Sequence, residues 1–222
     1  AAQQPIPAPP AKHWVLMRRL GSSVALWALV IGTLFLENRI VSGYLFLAIM
    51  LAIAGIGLGE FYALVRKRQL PCFTSWGIWG GLLLMASTFV YLSGILKPQL
   101  HPAKANDFET SVLIIFVLGL CLRQLVDPKN TAGISAIATT LLGLMYVPWL
   151  LNFVQKIKFL PNVEGAYYVF YFVLVTKFSD LGAYVVGSLF GTHKLIPRVS
   201  PGKTWEGFFG AIVISTAASL VF

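Results

Sequence analysis

Charged residues are scarce in this chain of 222 residues, and acidic residues are scarcer than basic ones. Only 11% of the residues are Asp, Glu, Lys or Arg, with 8 acids against 17 lysines and arginines. A soluble globular domain has about a quarter of its residues charged, so the composition excludes an ordinary soluble domain and indicates a membrane protein. The shortage of acids also leaves a formal net charge of +9, which predicts an anionic partner.

Cysteine is nearly absent as well. Cys72 and Cys121 have no metal-ligand or redox spacing, and both are expected to be small apolar side chains of the interior. The chain also lacks a basic helix and an aromatic RNA-binding signature, so nucleic acid is not the expected partner. The basic residues stand in short clusters between apolar runs, which favours anionic lipid headgroups and phosphate substrates.

Apolar residues make up 57% of the chain, and the mean hydropathy is +0.78. A membrane-spanning helix needs about 20 mostly apolar residues. We therefore predict an all-α, polytopic transmembrane helical bundle of six full spans and the start of a seventh. The predicted spans are Leu20–Leu36, Val41–Val65, Trp76–Leu96, Ser111–Val126, Gly133–Phe153, Ala166–Phe190 and Gly207–Phe222. Pro148 predicts a kink in the fifth span, and residues 97–110 are predicted to form a polar loop.

The domain organisation follows from the two ends of the chain. Residues 1–13 are rich in proline and alanine without apolar periodicity, which predicts a disordered tail before one transmembrane domain over residues 14–222. The first apolar stretch follows Arg18-Arg19 and is long enough to remain in the membrane, so it is not a signal peptide. The chain stops at Phe222 inside an apolar run, and we expect a domain that is truncated at its C-terminus.

The distribution of basic residues predicts the orientation. With a cytoplasmic N-terminus, eleven lysines and arginines fall on the inner side and five on the outer side. The loop of residues 193–206 is then cytoplasmic, where nucleotides and metabolic phosphates are found. We expect an integral protein of a bacterial inner membrane.

The sixth span contains an ionisable pair at membrane depth. On a helix, Lys177, Asp180, Tyr184, Gly187 and Gly191 are spaced by three or four and share one face. Charges inside a span are costly and usually face a cavity or one another, so a functional site is favoured over a structural ion pair, which stays the alternative. The two glycines indicate close helix packing rather than ligand contact.

The loop after this span combines cations with a turn. Ser200 followed by Pro201 predicts a helix N-cap and first helical position, and helix N-termini attract phosphate. Lys203 and Thr204 follow Gly202, but a P-loop is excluded because its first glycine would fall at Pro197 and no strand precedes it. A loop that only anchors the chain on the cytoplasmic side would explain the charges, but it would not explain the order of residues 200–204 or the presence of Glu206.

Glu60, in the second span, is another acid at membrane depth. A structural role inside the bundle and a role in the polar site are equally favoured for it.

A run of about thirty residues carries a resemblance. The segment S-D-L-G-A-Y-V-V-G-S-L-F-G-T-H-K-L-I-P-R-V-S-P-G-K-T-W-E-G-F-F-G closely resembles the phosphatidate cytidylyltransferase (CDP-diacylglycerol synthase) family. Two positions depart from the family pattern, since Ser188 and Thr192 stand where many members have basic residues. The family's C-terminal signature, whose acids are associated with divalent metal, lies beyond Phe222.

The resemblance implies a membrane enzyme that condenses CTP with phosphatidate to give CDP-diacylglycerol and pyrophosphate, with Mg²⁺ or another divalent cation. It implies catalytic roles for Asp180, Lys203 and Glu206, with Asp180 also a metal ligand whose main partners are expected past Phe222. Glu206 is expected to orient Lys203 or a metal-bound water. The implied substrate-binding residues are Lys177, Tyr184, His193, Lys194, Arg198, Ser200, Pro201, Gly202 and Thr204. A homodimer is a further expectation.

A transporter is the alternative from another functional class. It would use Lys177 and Asp180 as an intramembrane relay. The sequence shows neither an inverted repeat nor a matched pair of broken helices, which disfavours it. A non-catalytic membrane scaffold would leave the Ser200–Thr204 pattern unexplained.

Overall fold

The structure, a computed structural model, describes residues 27–94, 105–126 and 133–222. Residues 27–34 are the described part of helix α1. The remaining helices are α2 (Arg39–Lys67), α3 (Thr74–Leu92), α4 (Ala105–Val126), α5 (Gly133–Leu144), α6 (Leu150–Lys158), α7 (Gly165–Phe190) and α8 (Trp205–Val221). A π-helical turn, Met145–Trp149, joins α5 to α6, and strands β1 (Lys194–Ile196) and β2 (Ser200–Thr204) lie between α7 and α8.

Within the described ranges, five helical stretches are long and apolar enough to cross a membrane. These are α2, α3, α4, the continuous stretch Gly133–Lys158 and α7. Many large apolar side chains on them are exposed, as expected where a helix faces lipid rather than water. The prediction of an all-α membrane bundle is confirmed. Helix α8 is apolar but has only 17 residues, in line with the predicted start of a further span.

The packed centre lies where α1, α2, α3 and α7 meet. Its buried apolar cluster consists of Leu34, Phe46, Met50, Ala54, Met85 and Val169. At the other end of α2, the fully buried Tyr62 donates a hydrogen bond from its hydroxyl to the Thr140 carbonyl at 2.8 Å. A Cβ atom at Gly143 would lie 2.7 Å from the Tyr62 ring, so this close approach of α5 to α2 requires glycine.

Two predicted boundaries are wrong. Residues 105–110 belong to α4 and not to a polar loop; Asp107 lies in the first turn, where a negative charge complements the helix dipole. Ser200 and Pro201 do not begin a helix, because they form the start of β2 and α8 begins at Trp205. Cys121 is exposed on α4 rather than interior.

Pro148 lies inside the π-helical turn, so the predicted irregularity of the fifth span is confirmed. The predicted tail of residues 1–13, the beginning of the first span and residues 97–104 of the loop lie outside the described residues.

Candidate functional site

The candidate site is built on the packing of α7 against α8. Both helices present glycine at the contact: Gly182 and Gly187 on α7, Gly207 and Gly210 on α8. A Cβ atom at Gly182 would lie 2.6 Å from the Gly210 carbonyl oxygen, and one at Gly207 would lie 2.8 Å from that of Ala183. The helix backbones are therefore nearly in contact, which fixes the two ends of the segment that connects them. Close packing predicted at Gly187 is confirmed.

The connecting segment is an antiparallel β-hairpin. Lys194 pairs with Thr204 and Ile196 with Ser200, with an irregularity of register between these two pairs and a turn at residues 197–199. The hairpin closes at its base, where the Trp205 amide donates to the His193 carbonyl at 2.9 Å. We call residues 192–206 the basic hairpin.

Three cations of the basic hairpin are exposed. Lys194, Arg198 and Lys203 all lie on its surface, and none of them forms an ion pair with another described residue. Pro201 and Gly202 are also exposed, and Ser200 is half-buried. Unpaired cations on one short hairpin attract a multiply charged anion, because their positive potentials add.

The one carboxylate of the basic hairpin, Glu206, is held by its neighbours. Its Oε1 lies 2.7 Å from His193 Nδ1 and accepts from the Thr192 hydroxyl at 2.8 Å, while the His193 amide donates to Oε1 at 3.2 Å. Glu206 precedes the apolar part of α8. Hydrogen bonds lower the pKa of the Glu206 carboxyl to about 2. The largest contribution comes from the His193 side chain, and smaller ones come from the Glu206 backbone amide and the Thr192 side chain. Glu206 therefore stays ionised at physiological pH.

Thr204 has a structural role at the junction of strand and helix. Its hydroxyl oxygen accepts a hydrogen bond from the Gly207 amide at 3.2 Å, so Thr204 is the N-cap of α8. The side chain is buried against Gly187 and Gly191 of α7. Thr204 thus joins the basic hairpin to both helices.

The ionisable residues of α7 stand apart from the basic hairpin. Lys177, Asp180 and Tyr184 are exposed, and Lys177 makes no ion pair with Asp180 within the part of the chain that the structure describes. Asp180 lies ten residues before the end of α7 at Phe190, which corresponds to about 15 Å along the helix axis. The structure therefore gathers the predicted residues from His193 to Glu206 at one place and leaves these three on an uncovered face of α7.

Among the described residues, no group of three or more His, Cys, Asp or Glu side chains could hold a metal ion. Asp180 is an isolated carboxylate on α7, and Glu206 is engaged by His193 and Thr192 instead of Lys203. Glu60 is exposed on α2.

Sequence reasoning missed a buried polar cluster at the far end of the bundle. The Glu109 carboxylate accepts from the Lys156 ammonium at 2.6 Å and from the Asn152 amide at 3.2 Å. Thr88 and Gln155 complete the cluster, which links α3, α4 and α6. The sequence signal was Asn152 and Gln155, spaced by three at the end of the predicted fifth span.

Comparisons with known proteins add an independent line of evidence. A family model described as "Cytidylyltransferase family" matches residues 18–222. A phosphatidate cytidylyltransferase of Bacillus subtilis is 30% identical over 199 residues, which cover 84% of this chain and 71% of that protein. One of Staphylococcus saprophyticus is 34% identical over 127 residues, covering 57% and 47%. One of Mycobacterium bovis is 30% identical over 121 residues, covering 51% and 39%.

This chain thus spans between 39% and 71% of the length of these three relatives. No solved structure matches it. These matches give no support to a transporter.

Proposed function

This chain belongs to the cytidylyltransferase family, and on that basis we propose that it is a phosphatidate cytidylyltransferase, which condenses CTP with phosphatidate. A phosphatidate oxygen forms a bond to the α-phosphorus of CTP, the bond between the α- and β-phosphates breaks, and pyrophosphate leaves. CDP-diacylglycerol stays in the bilayer. The single observation that carries the proposal is the 30% identity over 199 residues to the phosphatidate cytidylyltransferase of Bacillus subtilis.

The basic hairpin is the proposed site for the triphosphate. Lys203 is the cation assigned to the nucleotide phosphates, and Ser200, Pro201 and Gly202 provide the strand beside it. Lys194 and Arg198 attract the phosphatidate headgroup or the triphosphate. Support comes from the exposure of the three cations and from the absence of ion pairs between them and other described residues. Phosphoryl transfer requires mainly positioning and charge neutralisation, which suits such a cluster.

The carboxylate at the base of the basic hairpin is proposed to position its cations. Glu206 holds His193 and Thr192 by hydrogen bonds, which connects the first turn of α8 to the entry of β1. Thr204 caps α8 at the end of β2. Together these contacts fix both strands, which leaves Lys194 and Lys203 on paired strands without an ion pair to another described residue.

We propose that Asp180, Lys177 and Tyr184, which stand apart from the basic hairpin on an exposed face of α7, serve the same reaction from the membrane side. Mg²⁺ binds proteins through one or two carboxylates together with substrate phosphates, and Asp180 fits such shared ligation. When bound, Mg²⁺ neutralises charge on the phosphates. Lys177 and Tyr184 provide an ammonium and a hydroxyl on the same exposed face of α7, where the phosphatidate headgroup can be oriented.

We further propose that the protein lies in a bacterial inner membrane with its N-terminus and the basic hairpin on the cytoplasmic side. The excess of basic residues on that side supports this orientation. A homodimer is proposed as well; the exposed apolar faces of α7 and α8 are compatible with it.

The test is incorporation of labelled CTP into lipid by membranes that contain the full-length protein, phosphatidate and Mg²⁺. The Lys203→Ala variant should lose at least about 99% of the incorporation, comparable to removing one charge-stabilising donor from an active site. Lys67→Ala, which removes an exposed lysine at the end of α2, is the control and should keep it. Folded wild-type protein that transfers no label would exclude the proposed function, and full activity of Lys203→Ala would remove the basic hairpin from the site.

A further inference from the structure

A cleft lies at the end of the bundle opposite the basic hairpin. It has a volume of about 700 Å³ and is formed by the end of α1, the beginning of α2, the end of α6 and the beginning of α7. Its lining includes Phe35, Arg39, Ser42, Lys158, Phe159 and Tyr167. We call it the α6–α7 cleft. Because the 26 residues of α7 separate it from the basic hairpin, the two are about 39 Å apart along that helix.

Lys158 is the chemically distinctive residue of this cleft. Its side chain is half-buried, and its ammonium donates to the Ser42 hydroxyl oxygen at 3.3 Å. The Ser42 hydroxyl in turn donates to the Thr33 carbonyl at 2.7 Å, so the Ser42 oxygen is oriented as an acceptor toward Lys158. The Phe46 ring lies 5.0 Å from the ammonium, at cation–π distance.

No carboxylate neutralises Lys158 in the described part of the chain. The neighbouring Glu164 is paired with Arg39 at 3.1 Å, and both of these side chains are largely exposed at the rim. Glu37 also lines the cleft but forms no ion pair with Lys158. A half-buried ammonium whose partners are one hydroxyl and one aromatic face has no compensating negative charge beside it, which favours binding of an anion.

We infer that the α6–α7 cleft binds a phosphate group, with Lys158 as its cation and Ser42 as the residue that positions Lys158. The phosphate is that of a phospholipid headgroup or of a small soluble phosphate. Tyr167 lines the cleft beside a polar rim, and tyrosine is enriched where side chains meet the headgroup region of a bilayer. This binding site is separate from the proposed catalytic site and does not depend on the proposed function.

The experiment measures binding of phosphatidylglycerol to the full-length, detergent-solubilised protein by native mass spectrometry, without CTP. All proteins carry Lys194→Ala and Arg198→Ala, which remove the two cations proposed to attract a lipid headgroup, so that lipid bound at the basic hairpin does not contribute. Adding Lys158→Met should weaken the tightest lipid binding about tenfold or more, as expected for loss of one charge-assisted contact. Lys158→Arg should retain the binding, and Lys67→Met is the matched control at the opposite end.

Two further measurements separate the sources of the phosphate and guard against misfolding. The first measures binding of glycerol 3-phosphate to the same proteins. If Lys158→Met weakens binding of glycerol 3-phosphate but not of phosphatidylglycerol, the cleft binds a soluble phosphate. Lys158→Gln keeps a hydrogen-bond donor for Ser42 and replaces Lys158→Met if that variant unfolds at a lower temperature. If folded Lys158→Gln binds phosphatidylglycerol and glycerol 3-phosphate as tightly as the otherwise identical protein that keeps Lys158, the inference is overturned.

Discussion

Nδ1 of His193 lies 2.7 Å from Oε1 of Glu206, and this contact joins the entry of the basic hairpin to the first turn of α8. The same carboxylate oxygen also accepts from the Thr192 hydroxyl. Glu206 is expected to orient Lys203 or a metal-bound water; its partners in the structure are the two residues that precede β1. Its structural effect is therefore to close the base of the basic hairpin and leave the cations free.

The first prediction concerns the pH dependence of this contact. The pKa of Glu206 is lowered from its ordinary value of 4.5 to about 2, chiefly by the His193 hydrogen bond. A lowered carboxylate pKa means that the stabilisation is fully present above pH 4.5 and is lost as the pH falls toward 2. A ¹³C-carboxyl NMR titration of Glu206 should therefore have its midpoint near 2. In His193→Ala the midpoint should rise toward 4.5; a wild-type midpoint already near 4.5 would contradict the contact.

The second prediction concerns the isolated acid of α7. Asp180→Asn should lower cytidylyl transfer about 100-fold or more, because it removes a carboxylate proposed to act on the reacting phosphates. Folding should be unaffected, since Asp180 is exposed and forms no ion pair with the other described residues. Labelled-CTP incorporation measures the effect, with Asp107→Asn, an exposed acid at the start of α4, as the control. Undiminished transfer by Asp180→Asn would exclude Asp180 from the site.

The third prediction tests the glycine contact between α7 and α8. In Gly207→Ala the new Cβ would lie 2.8 Å from the Ala183 carbonyl oxygen and 3.2 Å from Gly187 Cα, and neither backbone atom can move aside easily. We expect a loss of about 1–3 kcal/mol in stability and reduced transfer, because the basic hairpin would be displaced. Thermal unfolding in one detergent provides the comparison. Gly59→Ala, with nothing within 4 Å of the new Cβ, is the matched control, and equal unfolding temperatures would show that the contact is loose.

The fourth prediction concerns the buried pair of α4 and α6. The side chain of Glu109 is 2% exposed and that of Lys156 is 16% exposed, so removing one partner leaves the other charge with little water. Glu109→Leu should destabilise the protein by about 3–5 kcal/mol. The double variant Glu109→Leu/Lys156→Met should regain much of that loss. Chemical unfolding of the wild type, the two single variants Glu109→Leu and Lys156→Met, and the double variant measures the coupling free energy. Additive effects would mean that the two side chains do not stabilise each other.

Much of the bundle was predictable because apolar runs of sufficient length specify spans locally. The predicted sixth span, Ala166–Phe190, differs from α7 by one residue at its start. The family was predictable from the run that begins at Ser179, since many positions of a long motif coincide there. The proposed roles of individual site residues stay predictions.

The basic hairpin was not predictable from local chemistry. Ser200-Pro201 suits a helix N-terminus and also the beginning of an edge strand, where the missing proline amide is tolerated. The choice is decided by the pairing of Lys194 with Thr204 and by Thr204 capping α8. The Glu109 cluster was missed for a similar reason, because Glu109 and Asn152 meet only through the packing of α4 against α6.

The π-helical turn at Met145–Trp149 has a consequence for how this span tolerates insertions and deletions. A π turn accommodates one residue more than an α turn, and each residue of an α-helix corresponds to about 100° of rotation. If the same residues adopted regular α geometry without a deletion, all of α6 would rotate by about that angle. Asn152 and Gln155 would then turn away from Glu109 and toward lipid. The π turn therefore sets the rotational position of α6, and deletion of one residue that restored a regular helix would leave Asn152 facing Glu109.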